Sequence, residues 1–208
     1  MLPTMADSSL RERKRERTRQ AIVDAAVDLF ERHGYEGTTI ADIAEAAEIG
    51  TRTFFSYFAS KEELLFPESD ARVAAAVSAI AARKPGDSPA DLLVQALSDV
   101  NEHSTEMASP TALLRMRLMQ TVPAVRGRGL QIQLDAQLEI ARHLQAAFPD
   151  DLDAVQASAL VGAFLGAVMG ALQVLLEEPG ALDDPRKLQR RMRDAVAAAL
   201  RPWLSAAR

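Results

Sequence analysis

Two short helical stretches, separated by a three-residue break, lie between residues 39 and 58 and constrain the fold more than any other part of the chain. The first stretch places apolar residues at helical spacing, which gives a helix one apolar face: Ile40, Ile43, Ala44 and Ala47. Thr39 is placed as the N-cap of this helix, and Asp42 completes a capping box with Asp in place of the usual Glu. The break itself is Glu48-Ile49-Gly50.

The second stretch, residues 51–58, has an aromatic side and a mixed side. Phe54 and Phe58 are four residues apart and lie on one face, and the others surround them: Thr51, Arg52, Thr53, Phe55 and Tyr57. Helices this short are not stable alone in water, so both must pack against the rest of a domain. The spacing fits either a helix-turn-helix, whose second helix enters the DNA major groove, or an ordinary buried helix pair.

The rest of the chain contains helical patterns and almost no strand patterns. Its 208 residues are 48% apolar and 25% charged, and alternating β-branched runs are nearly absent. We therefore predict an all-α protein of about nine helices. The chain has no Cys, which excludes disulfides and thiolate metal sites. Its N-terminus shows no apolar secretory segment, so a cytoplasmic location is expected.

A run of basic residues precedes the helix pair, although the whole chain carries a net charge of -5. The run contains Arg11, Arg13, Lys14, Arg15, Arg17 and Arg19. Such a run is either a solvated tail or an arm that reaches phosphates or the minor groove of DNA. Its position ahead of a helix-turn-helix favours the arm.

The basic run leads into an apolar stripe that predicts a first helix ending at Gly34. Five of the seven Phe residues lie within the first 66 residues, which indicates a small separate core. We therefore expect an N-terminal domain over residues 1–66, with the helix-turn-helix motif at 39–58, and a C-terminal domain over residues 67–208. Ser60 and Glu63 predict a second capping box and a helix that starts at Lys61 and is interrupted by Pro67.

Residues 154–176 have no charged side chain and are long enough to span a bilayer. Acidic residues flank both ends and no Lys or Arg lies close by to set an orientation, so no membrane span is expected. Gly162, Gly166 and Gly170 form a row at every fourth position, which lets a second helix approach closely. We interpret this segment as a subunit interface, together with Trp203 of the final helix.

The helical pattern is expected to break between Thr121 and Gly129, because this stretch contains one Pro and two Gly residues. Four arginines cluster around the expected break: Arg115, Arg117, Arg126 and Arg128. They are either solvated or hold an anionic group such as a carboxylate or a nucleotide phosphate. In the second case Arg126→Ala should weaken the effect of such a ligand.

The chain resembles the TetR family of bacterial transcriptional regulators in four blocks that occur in order at the family's spacing. These are the first helix with Gly34-Tyr35, then TTIADIAEAA, TRTFFSYF and SKEELL. The resemblance covers residues 18–65, about a quarter of the chain, and the TRTFFSYF block is similar to a subgroup frequent in actinobacteria. It implies a homodimer joined by the last two long helices, an inducer pocket among the middle helices, and repression that the ligand relieves.

The resemblance also implies roles for single residues. Thr39 would contact a phosphate, and the start of the second helix would face bases or nearby phosphates: Gly50, Thr51, Arg52 and Thr53. Tyr57 and Lys61 would hold the DNA backbone. Arg52 is the best candidate for a base contact, because Arg reads guanine with two hydrogen bonds; a phosphate or solvent contact is the alternative.

Three positions depart from the family pattern. Glu48 stands where Gly is usual, so a non-Gly residue is expected to take a positive φ. Gly50 replaces the usual Ser N-cap, and this replacement lowers the stability of the helix by only about a few tenths of a kcal/mol. Phe55 replaces Tyr and cannot donate a hydrogen bond to a phosphate, so packing against a sugar or a thymine methyl is the alternative.

The sequence therefore predicts a ligand-responsive, sequence-specific DNA-binding regulator, specifically a repressor that a small hydrophobic effector releases from a pseudo-palindromic operator. An apolar effector pocket and plain core packing are both compatible with Met107, Met116, Met119, Phe164 and Met169. The alternatives are an architectural or non-specific DNA binder and a small-molecule sensor without an operator. The three His residues match no catalytic constellation, and no enzyme activity, cofactor or metal is expected.

Overall fold

A computed structural model of the chain describes residues 5–67, 69–103, 109–178, 180 and 183–203, and the regular structure in them is helical. The all-α prediction is confirmed. The nine α-helices of these residues are α1 (Met5–His33), α2 (Ile40–Ala46), α3 (Thr51–Phe54), α4 (Ser69–Ala81), α5 (Pro89–His103), α6 (Pro110–Thr121), α7 (Pro123–Ala147), α8 (Ala154–Glu177) and α9 (Pro185–Leu200). Short 3₁₀ helices cover Glu62–Leu65 and Arg201–Trp203.

Helix α1 begins at Met5, ahead of the basic run, so the basic run and the apolar stripe lie on one helix. The helix ends at the predicted glycine. Gly34 has φ +77°, a left-handed conformation that costs Gly little, and its N–H donates to Phe30 O at 3.0 Å. A tight connection then leads into α2.

The helix predicted from Lys61 is only a 3₁₀ turn over Glu62–Leu65. The expected capping box is wrong in detail, since the carboxylate of Glu63 accepts from the N–H of Ala59, not from that of Ser60. The turn stops at Phe66, whose φ of -127° lies outside the helical range. Phe66 precedes Pro67, and a residue before proline is driven out of the α conformation by steric clash.

The break predicted across Gly127 and Gly129 is also wrong, because α7 runs through both glycines without interruption. Only the Val122–Pro123 junction separates α6 from α7, with Pro123 in the first turn, where its missing N–H costs nothing. Gly129 is buried, and a Cβ there would lie 2.8 Å from Met119 Cε and 3.2 Å from Phe66 Cζ. This glycine permits close packing and does not end the helix.

Two hydrophobic cores organise the chain. The N-terminal core joins α1, α2, α3 and the 3₁₀ turn, but it also includes Leu114 and Val122 of the α6 region and Val125 of α7. The C-terminal core joins α4, α5, α7, α8 and α9. Helices α6 and α7 therefore pack against the first 66 residues, and this contact brings the two parts of the chain together.

Helix α8 is long and apolar enough to cross a membrane, with a mean hydropathy of 2.2, and only 28% of its most apolar stretch is buried within the chain. Its N-terminus is fixed by a capping box between Asp153 and Gln156. Val155 and Val174 are mostly exposed. A core helix of one subunit would be more buried than this, so a large apolar surface of α8 remains to be covered.

Candidate nucleic-acid interface and cavity

The capping box predicted at the start of α2 is present. The N–H of Asp42 donates to Thr39 Oγ1 at 3.2 Å, and the Asp42 carboxylate accepts from the N–H of Thr39 at 2.8 Å. These bonds from the Thr39 backbone, and then from its side chain, hold the pKa of Asp42 below its usual value. Thr39 is exposed, so its hydroxyl lies at the surface at the N-terminus of α2.

The turn between α2 and α3 adopts the conformation expected from its sequence. Glu48 has φ +54° and is the non-Gly residue with a positive φ in the described part of the chain. Gly50 is the N-cap of α3 and supplies no side-chain bond. The N–H of Ile49 donates to Ala44 O at 2.9 Å, which closes the turn. A residue other than Gly in this conformation costs about 1 kcal/mol, which the surrounding packing has to offset.

Helix α3 is shorter than predicted: Thr51–Phe54 is α-helical, and hydrogen-bonded turns continue to Phe58. Phe54 and Phe58 are buried, with ring centroids 5.9 Å apart. Outward-facing residues surround them and are exposed: Thr51, Arg52, Thr53 and Phe55. Phe55 is 56% exposed and meets the Phe54 ring edge-on at 5.5 Å. Residues 51–58 thus present an exposed surface that is supported by the buried rings of Phe54 and Phe58, which we call the aromatic base.

The basic residues predicted to form an arm lie exposed along the first half of α1: Arg11, Arg13, Lys14, Arg15 and Arg17. Two arginines of this region contact the aromatic rings of the two residues that follow α3 and its turn, Tyr57 and Phe58. The Arg15 guanidinium lies 5.4 Å from the centre of the Tyr57 ring, and that of Arg19 lies 5.0 Å from the centre of the Phe58 ring. The basic half of α1 therefore lies next to the segment that contains α3.

Lys61 is half-buried against the connection between α1 and α2. Its ammonium group donates to the carbonyls of Tyr35 and Thr38, at 2.6 and 2.9 Å, and lies 4.0 Å from the centre of the Tyr35 ring. An ammonium has three donors, so these two bonds leave one N–H for a phosphate. Lys61 fixes the connection before α2, and its predicted contact with DNA stays a prediction.

The Tyr35 hydroxyl donates to the carboxylate of Glu62, which ties the connection before α2 to the 3₁₀ turn. Burial of Tyr35, together with the bond to Glu62, raises the pKa of the phenol. Burial alone would raise the pKa of Glu62, but hydrogen bonds from Tyr35 and Ser60 hold it below its usual value. The bond therefore favours the ionised carboxylate.

Tyr35→Phe is expected to lower the free energy of unfolding by about 1.5 to 3 kcal/mol, because a hydrogen bond to a charged acceptor is lost. The bond contributes fully above the unfolded-state pKa of Glu62 and is lost as the pH falls through its lowered folded-state pKa. Urea denaturation of both proteins should therefore show a large difference at neutral pH that shrinks in acid. A difference that does not change with pH would contradict this role.

Arg52→Ala is expected to relax sequence preference at one base pair of each half-site and to cost about 1 to 3 kcal/mol of binding free energy. Arg52 is exposed on α3, so the free energy of unfolding should change by about 0.5 kcal/mol or less. Binding to a set of single-base operator variants measures the effect. Arg32→Ala is the matched control, because Arg32 is exposed on α1 and pairs with Asp28 at 2.7 Å. A uniform loss of affinity for all variants would indicate a phosphate contact instead.

A cavity of about 200 Å³ lies between α4, α5, α6, α7 and α8. Four of the five residues predicted to line an effector pocket do line this cavity: Met116, Met119, Phe164 and Met169. Met107, the fifth, lies outside the described residues. Phe66 also lines the cavity while it packs in the N-terminal core, so one side chain contacts both parts of the chain.

The arginines near the α6–α7 junction do not form one anion site. Arg126 donates to the carbonyl of Met119 at 2.8 Å and to that of Gln120, so it caps the end of α6 and does not line the cavity. The prediction for Arg126→Ala therefore has no structural basis. Arg117 pairs with Glu31 of α1 at 3.5 Å, and Arg128 pairs with Glu63 of the 3₁₀ turn at 2.8 Å.

Arg115 and Arg72 are the charged side chains among the lining residues, and only Arg115 was singled out from the sequence. Arg115 donates to Leu65 O at 3.0 Å, a bond across 50 residues. Arg19, which the sequence showed only as part of the basic run, donates to Pro67 O at 2.7 Å. No local pattern signals such contacts, because each joins elements far apart in the chain.

The three glycines in the row on α8 lie in two different environments. A Cβ at Gly162 would lie 3.0 Å from Gln137 Nε2 of α7, so this glycine packs inside the chain. Gly166 and Gly170 are exposed, and nothing lies within 4 Å of a Cβ at either position. The side chain of Trp203 lies outside the described part. On the neighbouring helix α7, three leucines are each more than half exposed: Leu130, Leu134 and Leu138.

Two family models match the chain. The one described as bacterial regulatory proteins, tetR family, matches residues 22–66, and the one described as MftR C-terminal domain matches residues 87–201. The HTH-type transcriptional regulator TcmR of Streptomyces glaucescens is 34% identical over 149 residues, which are 69% of this chain and 66% of TcmR. The chain thus spans just under two thirds of TcmR, and between 14% and 26% of three further curated relatives.

Solved structures share the fold. Thermus thermophilus FadR, a TetR-family transcriptional repressor solved with lauroyl-CoA, superposes with a TM-score of 0.58 at 20% identity, over 91% of this chain and 97% of FadR. SmeT, solved with triclosan, superposes with a TM-score of 0.60 at 17% identity, over 91% of this chain and 93% of SmeT. Among the described residues, no group of three or more His, Asp or Glu side chains could hold a metal ion.

Proposed function

The chain belongs to the TetR family of bacterial regulatory proteins, and from this we propose that it is a ligand-responsive, sequence-specific DNA-binding transcriptional repressor. The observation that carries the proposal is the exposed surface of α3 on its buried aromatic base, next to the basic side of α1. This combination supplies side chains that can reach base edges and charge that can neutralise phosphates. The N-terminal domain over residues 1–66 would carry this role.

Within the interface we assign Arg52 and Thr53 to base contacts, and Thr39, Tyr57 and Lys61 to the DNA backbone. Exposure of Arg52 and Thr53 supports their assignment, and Thr39 stands at a helix N-terminus, where N–H groups and the helix dipole attract phosphate. Phe55, exposed and without a polar group, would pack against a sugar or a thymine methyl. The basic half of α1 would contact flanking phosphates.

We further propose that the protein acts as a homodimer, with α8 at the centre of the interface and α9 beside it. The support is the incompletely buried apolar surface of α8, on which Gly166 and Gly170 allow close approach of a second helix. The exposed leucines of α7 extend the same apolar surface. Two copies would present two α3 segments to successive half-sites of a pseudo-palindromic operator.

The effector would occupy the cavity within residues 67–208, with Phe66 at its edge. The wall is predominantly apolar, which suits a small hydrophobic ligand. Triclosan, the ligand in SmeT, is of this kind, and the lauroyl chain of the ligand in FadR is likewise apolar. Because the relatives are transcriptional regulators, we assign the chain no enzymatic activity and a cytoplasmic location, and we attribute the apolarity of α8 to a subunit interface and not to a membrane.

Footprinting on the DNA that flanks the gene tests this function, because regulators of this kind commonly control neighbouring genes. The proposal predicts one protected pseudo-palindrome whose half-sites are about 34 to 36 Å apart, or a multiple of that spacing. Uniform protection along the whole DNA fragment would favour an architectural binder. No protection at any salt concentration would favour a sensor without an operator.

A further inference from the structure

One carboxylate connects residues 51–58, the recognition segment, to helix α7. Glu63 lies in the 3₁₀ turn that follows this segment, and its two oxygens have different partners. Oε2 accepts from the N–H of Ala59, the residue directly after the recognition segment, at 2.8 Å. Oε1 accepts from Nη2 of Arg128 in α7, also at 2.8 Å. A single side chain therefore joins the end of the recognition segment to a helix beyond residue 66.

The guanidinium of Arg128 is held from two sides. Its Nη1 donates to Gln131 Oε1 on the same helix at 3.0 Å, while Nη2 donates to Glu63. The side chains of Arg128 and Glu63 are 31% and 26% exposed, so solvent screens this pair less than a pair at the surface. Arg117 and Glu31, which join α6 to α1, form such a surface pair: their side chains are 67% and 48% exposed, and the contact is longer, at 3.5 Å.

The apolar contacts between the same parts of the chain give area but little direction. Leu65 and Phe66 share the N-terminal core with Leu114 and Val125. Hydrophobic burial is roughly proportional to the area removed from water and has no preferred direction. A hydrogen bond between charged groups depends on distance and angle, and therefore adds geometric specificity. The pair of Arg128 and Glu63 thus restricts the orientation of the recognition segment relative to α7.

Arg128 also carries a cost to stability. Its Nε is buried and has no hydrogen-bond partner among the residues that the structure describes. A buried donor without an acceptor loses its hydration and gains nothing in return. An apolar side chain of similar volume often stabilises a protein as much as a buried ion pair does. The unpaired Nε therefore favours a role of Arg128 in geometry over a role in stability.

We propose that Arg128 is a positioning residue for operator binding: through Glu63 it holds the recognition segment at one orientation to α7, and this fixes the half-site spacing that the dimer accepts. Helix α7 is continuous from Arg128 to Gln137, and Gln137 Nε2 donates to Ser158 O of α8 at 3.2 Å. Since α8 is the helix proposed at the centre of the dimer, one helix connects each recognition segment to the subunit interface. This inference rests on the proposed function and adds a residue that determines its spacing specificity.

Binding to operators of altered spacing tests this role. One base pair inserted between the half-sites of the footprinted operator turns one half-site by about 35° and moves it by about 3.4 Å. Fluorescence anisotropy at about 150 mM salt gives the affinity of each protein for both duplexes, and the ratio of the two affinities is the spacing penalty. The wild-type penalty should be at least about a hundredfold, because the second half-site no longer adds its effective concentration. A wild-type protein without a penalty would overturn the proposal.

Arg128→Met should lower the spacing penalty at least about tenfold, because Met keeps much of the apolar stem but binds neither Glu63 nor Gln131. The penalty compares two affinities of the same protein. Partial unfolding of the variant therefore lowers both affinities equally and leaves their ratio unchanged. A penalty in Arg128→Met equal to that of the wild-type protein would overturn the role of Arg128.

Arg117→Met is the matched control. It removes the same charge and also breaks an ion pair between α1 and a later helix, but that pair is exposed. Because exposed pairs contribute little, this variant should keep the wild-type penalty. If Arg117→Met relaxes the penalty as much as Arg128→Met does, the effect comes from charge alone, and the assignment to Arg128 is overturned.

If Arg128→Met does not fold, Arg128→Lys replaces it. Lys keeps the charge but lacks the planar fork that binds two partners, so the spacing penalty should fall part of the way, and an unchanged penalty would overturn the proposal. Failure of the proposed function gives a different result. A wild-type protein that protects no operator loses that function, and this inference with it. A strict wild-type penalty that Arg128→Met shares keeps the proposed function and removes only this inference.

Discussion

Phe54→Ala is expected to weaken DNA binding strongly, because it destabilises the N-terminal part of the chain. Phe54 is fully buried at the centre of the aromatic base, 5.5 Å from the Phe55 ring and 5.9 Å from the Phe58 ring. Replacing a buried Phe with Ala costs about 3 to 5 kcal/mol through lost transfer energy and a cavity. Domains of this size are stable by about 5 to 15 kcal/mol, so this loss is a large share of the total.

Urea denaturation measures the loss, and Phe55→Ala is its matched control. Phe55 is adjacent in sequence but 56% exposed, so its removal should change the free energy of unfolding by about 0.5 kcal/mol or less. Operator affinity should nevertheless fall in Phe55→Ala if the ring packs against DNA. Equal destabilisation by the two variants would mean that the buried and exposed sides of α3 are assigned wrongly.

Gly166→Glu is expected to convert the proposed dimer into a folded monomer and to weaken operator binding by about 10² to 10⁴-fold. Nothing within one chain lies near a Cβ at this position, so the substitution should leave the fold of the monomer intact. In a dimer centred on α8 the new side chain would separate two close helices and bring two like charges together. A monomer loses the second half-site and the effective concentration that comes with it.

Analytical ultracentrifugation gives the mass of the variant, and circular dichroism shows whether its helices persist. Ala74→Glu is the control, because Ala74 is also a small exposed residue inside a helix, and its helix α4 is not part of the proposed interface. The control should remain a dimer. Should Gly166→Glu also sediment as a dimer, the interface would have to lie away from the exposed face of α8.

Local signals made much of the DNA-binding part predictable. The capping box of Thr39 and Asp42 and the helix stop at Gly34 follow from the preferences of a few neighbouring residues, whereas the positive φ of Glu48 was expected only from the family pattern. Phe54 and Phe58 were placed correctly on one buried side because they are four residues apart. The resemblance to the TetR family then supplied the roles that spacing alone left open.

Contacts between distant residues were not predictable in the same way. Arg115 and Arg128 bind residues 50 and 65 positions away, and nothing around them in sequence distinguishes such arginines from solvated ones. The two glycines of α7 were interpreted as a break because Gly disfavours helices, but close packing of Gly129 against Met119 and Phe66 outweighs that preference. At each of these positions tertiary packing, and not local sequence preference, determines the conformation and the contacts.

Competition between specific and non-specific DNA tests the central claim most directly. The protected operator and a duplex of the same composition in shuffled order are each titrated with wild-type protein at about 150 mM salt. If the exposed residues of α3 read base edges, the operator should bind at least about a thousandfold more tightly than the shuffled duplex. A ratio near one, with both affinities falling equally as salt is raised, would show that the chain binds DNA only through its charge and would contradict the assignment of a sequence-specific regulator.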